Sequence, residues 1–122
     1  MEFRKSQTIY MQIADHICEN IMNKKLGQGD RIESVREMAS NIQVNPNTVM
    51  RTFSYLQDQG IIYNKRGIGY FVSDDALDRI KSNKKKDFVE NYLPDVFKMM
   101  DLLGIPFNEL EQIYKQQLNG QK

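Results

Sequence analysis

The stretch "NPNTVMRTFSYL", beginning at Asn45, gathers amide, hydroxyl and guanidinium groups at helical spacing. At about 100° per residue, Val49, Phe53 and Leu56 share one narrow sector, while Asn47, Arg51, Tyr55 and Asp58 fall on the opposite side. Thr48 and Ser54 flank that polar side. Such groups do no covalent chemistry by themselves; they recognise through hydrogen bonds. Asparagine can bond adenine in two places, arginine can do the same with guanine, and threonine can meet a phosphate or a thymine methyl. Tyr55 is placed to reach a phosphate. The groups that would support catalysis are missing. His16 is the only histidine and Cys18 the only cysteine. No nucleophile has a base at credible spacing, no loop has Walker spacing, and no Cys/His cluster could ligate a metal. We expect no enzymatic activity, no cofactor and no metal.

The elements that must hold this array are also legible. Asn45 is a good N-cap and Pro46 suits the first helical position, where a missing N–H costs nothing. The helix can run to about Gln59, where Gly60 supplies a left-handed residue after the last turn. Upstream, Ser34 followed by Glu37 in "SVREMASNI" forms a capping box. Val35, Met38, Ala39 and Ile42 give that short helix its apolar face, and "QVN" turns out of it. Further upstream, Ile9, Ile13, Ile17 and Ile21, with Tyr10, Ala14 and Cys18 beside them, make the stripe of an amphipathic helix. Cys18 lies on the stripe and reads as a small buried hydrophobe; His16 lies on the solvated face. "GQGDRIES" supplies a short extended stretch around Arg31 and Ile32. After Gly60, "GIIYNKRGIGYFV" reads as two strands, 61–64 and 70–72, joined by the basic turn "KRGIG". Gly67 and Gly69 permit positive φ or close approach of another backbone.

Composition sets the outer bounds. A chain of 122 residues allows one main core and at most one small appendage. No apolar run is long enough to span a bilayer, so no membrane partner is expected. The opening "MEFRKSQTIYMQ" lacks a signal core, so the expected residence is cytoplasmic. The net charge of +1 excludes little. Between residues 24 and 72, however, seven cations face four acids, an excess of the sign that phosphates attract.

Residues 10–72 resemble the winged helix-turn-helix domain of GntR-type bacterial transcription regulators. The matching pieces are "IYMQIADHI", "GDRIESVREMA", "VNPNTVMRTFSYLQDQGII" and, as the wing, "KRGIGYFV". The "VNPNTV-x-R" variant and the short helical tail look most like the YtrA-type subfamily. The resemblance implies a mainly α fold with a small β wing: a winged helix-turn-helix domain over residues 1–73 and a short all-helical dimerisation tail over 74–122. It also implies a homodimer on double-stranded DNA with two recognition helices in successive major grooves of a pseudopalindromic operator. The expected role is sequence-specific regulation, as a repressor, of target operons that encode transport systems. The DNA-contact residues implied are Arg36, Asn45, Asn47, Thr48, Arg51, Tyr55, Lys65, Arg66 and Gly67. Arg36 is the arginine of the family's "S-x-R-E", and residues 65–67 correspond to the wing tip. Many members read "TxREAL", with an arginine where this chain has Met50, and an arginine in place of Pro46. Arg51 is rotated from the first of these by about 100°, so the base preference of longer relatives does not transfer. The rival reading is a winged-helix protein-interaction module, which would favour aliphatic and aromatic residues on the exposed helix face. A small-molecule effector is not specified by these residues.

The tail reads as helices. Leu77, Ile80, Phe88, Tyr92, Val96, Met99, Met100 and Leu103 recur at roughly helical spacing. Pro94 must kink or break the segment, because its ring collides with the carbonyl of Glu90. "FNELEQIYKQQL" is a last amphipathic helix. "SNKKKD" is the most linker-like run, though a lysine triplet on a solvated helix face is its simpler explanation. The tail's Met and aromatic residues read as core or dimer contact and not as a ligand pocket.

Overall fold

The computed structural model describes residues 7–120. Among these, α1 spans Ile9–Met22, α2 Val35–Ile42 and α3 Pro46–Asp58; a hairpin of β1, Ile62–Lys65, and β2, Gly69–Val72, follows. Then come α4, Ala76–Asp87, a π-helical turn, Phe88–Tyr92, α5, Leu93–Leu103, and α6, Phe107–Gly120. The chain divides into two compact units, one ending at Lys84 and the other beginning at Lys85.

The first unit is a winged helix-turn-helix. Its core gathers Ile13, Ile17 and Ile21 of α1, Met38 and Ala39 of α2, and Val49, Phe53 and Leu56 of α3. Ile62, Val72, Ala76 and Ile80 close it from the hairpin and α4. The last two explain why the unit continues past the wing: the first turns of α4 are apolar on one side and pack inward. Cys18 is buried as its place on the stripe predicts, and burial pushes its thiol up to about 11. Two residues assigned to apolar faces depart from expectation. Ile9 and Ile42 are exposed, Ile9 as the first residue of α1 and Ile42 as the last of α2. Both help line an open cleft of about 500 Å³ over Ile13, Ile32 and Met38.

Helix ends follow from local chemistry. The Ser34 hydroxyl accepts the Glu37 N–H at 3.0 Å, and the Glu37 carboxylate accepts the Ser34 N–H at 3.0 Å. That backbone bond is the main reason the Glu37 carboxyl is held below its ordinary value. At the other end of α3, Gly60 has φ +73°, the Ile61 N–H donates to the Leu56 carbonyl at 3.0 Å and the Gly60 N–H to that of Gln57 at 2.9 Å. This double bond pattern satisfies carbonyls the helix would otherwise leave bare.

The strands are antiparallel with Ile62 opposite Val72 and Lys65 opposite Gly69, so β1 is shifted one residue toward the tip and β2 gains one there relative to the sequence expectation. The outer edge of β2 is not bare. Ile32 N–H donates to Tyr70 and Val72 N–H to Asp30, each at 2.9 Å, while Arg31 bridges Phe71. The extended stretch expected around Arg31 therefore ties the entrance of α2 to the wing.

The second unit carries α5 and α6. Pro94 neither breaks nor sharply ends the helical path. It is the second residue of α5, preceded by the π turn in which the Leu93 N–H reaches back to Phe88. A widened turn before proline relieves the clash with the carbonyl four residues earlier. Neither α5 nor α6 contains a buried residue.

Candidate nucleic-acid interface

Helix α3 begins as the sequence predicts. The Asn45 side-chain oxygen accepts the Asn47 N–H at 2.8 Å, which leaves the Asn45 amide NH2 as its outward group. Val49, Phe53 and Leu56 are 0 % exposed. The rear of α3 is thus fixed, and Asn47, Arg51 and Ser54 stand exposed in front. Thr48 and Tyr55 are half-buried. Tyr55 packs against the core and meets the Tyr10 ring edge-on, with centroids 6.4 Å apart. Its ring therefore serves packing.

Arg36 lies exposed on α2. The acids beside it are committed elsewhere: Glu33 accepts the Asn41 amide, and Glu37 is held by the Ser34 cap. Among the described residues no ion pair includes Arg36. Its guanidinium is available to an anion.

At the wing, Ile68 N–H closes a turn onto the Lys65 carbonyl at 2.9 Å, with Gly67 at φ +78°. Arg66 and Gly67 form the exposed tip. Lys65 Nζ lies 4.7 Å from the Phe71 ring centroid, and Phe71 stacks on Tyr63. Gly69 has φ +142°, and a Cβ there would lie 3.0 Å from Arg31 Nε. Its positive φ is one of the two reasons the sequence offers for a glycine there, and its close neighbour is a side chain.

Three contributors were not visible in the sequence reading. Met50 is 48 % exposed on α3, and its offset of three from Asn47 and four from Ser54 is the signal that could have placed it on the same face. Thr52 is fully buried, its hydroxyl donating to the Tyr10 carbonyl at 2.8 Å across 42 residues of sequence. Tyr10 itself lies beneath the Arg51 guanidinium, 4.1 Å from ring centroid to Cζ. Long-range contacts of this kind leave no periodic trace.

Among the described residues no group of His, Cys, Asp and Glu could hold a metal ion, and no helix is long and apolar enough to cross a membrane. The arrangement offers amides, a guanidinium and a cationic tip on one rigid scaffold, which suits binding to an anionic, hydrogen-bonding surface.

Comparison with known proteins agrees with this fold. Residues 9–72 match the model of the bacterial regulatory proteins of the gntR family. The chain is 38% identical over 111 residues to the HTH-type transcriptional regulator YhcF of Bacillus subtilis, covering 89% of this chain and 88% of that one. It is 30% identical over 113 residues to the HTH-type transcriptional repressor YtrA of the same organism, covering 93% and 86%. Among solved structures, a GntR-family regulator from Bacteroides thetaiotaomicron is similar with a TM-score of 0.85 and 43% identity, covering 94% of this chain and all (100%) of the other. This chain belongs to the GntR family of DNA-binding transcription regulators, which are not enzymes.

Proposed function

We propose that the protein is a cytoplasmic repressor that binds a pseudopalindromic operator as a homodimer, with the leading end of α3 in the major groove. The observation that carries this reading is the division of α3: a completely buried apolar rear and an exposed front bearing Asn47 and Arg51. A groove about 12 Å wide admits one such helix. In this reading Asn47 and Arg51 meet base edges, and Asn45, Thr48 and Tyr55 lie along the backbone. Arg36 adds a contact from α2, and Lys65, Arg66 and Gly67 engage the backbone or minor groove from the wing.

The tail supports a dimer. Leu102 and Phe107 are 79% and 71% exposed, and no residue of α5 or α6 is buried. Apolar surface of that extent marks an interaction site. A second copy of the tail would cover it, and half-sites one helical turn apart call for two copies of α3 about 34 Å apart. The similarity to a transcriptional repressor favours repression, and the subfamily resemblance favours a transport operon as the target. A protein-interaction role fits less well, because the exposed front of α3 is mostly polar.

Selection of bound fragments from random duplex DNA tests this reading. The expected result is a two-fold motif with half-sites one helical turn, or a multiple of it, apart. Recovery of no enriched sequence at low salt would refute it.

A further inference from the structure

We infer that Tyr10 is a positioning residue for DNA reading, its ring holding the Arg51 guanidinium in the orientation from which it addresses a base. This rests on the proposed assignment of Arg51 to base contact. Three observations converge on Tyr10. Its ring centroid lies 4.1 Å from Arg51 Cζ. Its carbonyl accepts the buried Thr52 hydroxyl at 2.8 Å, which fixes the rotation of α3 against α1. Its ring also meets Tyr55 edge-on, at an interplanar angle of 73°, so the ring itself is braced. Residues 51, 52 and 55 of the recognition helix thus all register on one residue of α1.

The kind of contact matters as much as its presence. A carboxylate partner would occupy the donor fork that a guanine needs. An aromatic ring attracts the cation through its quadrupole and takes up no paired N–H···O bonds, so the fork stays free. Among the described residues no ion pair includes Arg51. A long, flexible side chain is thereby oriented before DNA arrives, without being neutralised. Loss of the ring should therefore weaken discrimination at the base Arg51 reads, and do so through Arg51.

The test compares Tyr10→Phe, Tyr10→Leu, Arg51→Ala and the Tyr10→Leu/Arg51→Ala pair by anisotropy. The probes are the selected duplex and its single-base variants. Arg51→Ala should erase preference at one base position. Tyr10→Leu should reduce preference at that same position roughly two- to fivefold, the size of an exposed cation–ring contact, while Tyr10→Phe keeps it. The pair should be no worse than Arg51→Ala alone. If Tyr10→Leu weakens all duplexes equally, or the losses in the pair multiply, the inference is overturned. If Arg51→Ala changes no preference, the Arg51 assignment itself fails and takes the inference with it. A second measurement needs no folded variant: in the parent protein the Arg51 Nε–H resonance should be distinct and ring-shifted. A signal at the position of free arginine would overturn the inference.

Discussion

Phe53 on α3 is entirely buried, whereas Phe107 on α6 is largely exposed, although each lies on the apolar stripe of an amphipathic helix. The same contrast runs through both units. Around α3, apolar residues from α1, α2, the hairpin and α4 close over one another. Along α5 and α6, Phe97, Leu102, Leu103, Tyr114 and Leu118 remain open. A stripe encodes a need for cover without saying what supplies it. In the winged unit the chain supplies its own; in the tail the proposed source is a second copy.

The comparison can be broken first at its strong end. Phe53→Ala should cost about 3–5 kcal/mol in urea or thermal denaturation, a loss from the core that tertiary packing does not repair. A loss under about 1 kcal/mol would mean that the winged core is looser than described. At the weak end, Leu102→Ala should cost the single unit almost nothing. In the proposed dimer it should weaken self-association by roughly 1.5–3 kcal/mol for one buried leucine. Sedimentation across a concentration range reads this directly, and an unchanged dimer would place the interface elsewhere.

On the polar side of α3 and at the wing tip the effects are smaller and of two kinds. Arg51→Ala should cost about 1–3 kcal/mol on the selected duplex and relax preference at one position. Arg66→Ala should weaken all duplexes alike and lower the salt slope by about 1. Anisotropy at several salt concentrations separates the two; identical behaviour of both variants would show that wing and helix are not doing different jobs.

The smallest effect concerns the entrance to α2. Ser34→Ala should cost about 1 kcal/mol as a lost cap, measured by thermal denaturation. The Glu37 half of the box is pH-dependent. Because folding lowers the Glu37 pKa, its contribution is present above the ordinary carboxylate range and lost as pH falls through the depressed value. Stability of the parent relative to Glu37→Ala should therefore be greatest near neutrality and fade in acid. A difference that stays constant down to strongly acidic pH would contradict the bond geometry.

What could be read in advance was local. The capping box at Ser34, the Asn45–Pro46 start and the Gly60 stop each depend on residues within a turn of one another. All appear in the structure as the spacing predicts. The division of α3 was equally legible, because buried and exposed faces alternate with the helix period. Coverage was less so: Ile9 and Ile42 lie on the predicted apolar faces yet stay exposed at the ends of their helices. The π turn before Pro94 escaped for a related reason, since proline announces a conflict without specifying how the backbone relieves it. Tyr10 gave no sign of its contact with Arg51, because its helical spacing reports only that it borders the α1 stripe. Which side chain crosses from another helix to meet it is settled by tertiary packing alone.

For a 14.3 kDa chain, titration of the isotope-labelled protein with the selected duplex, followed by amide and side-chain resonances, tests the central claim most directly. The largest shifts are expected over residues 45–51 at the start of α3, at Arg36 and at residues 65–67 of the wing. Shifts confined to α5 and α6, with Asn47 and Arg51 unmoved at saturation, would contradict it.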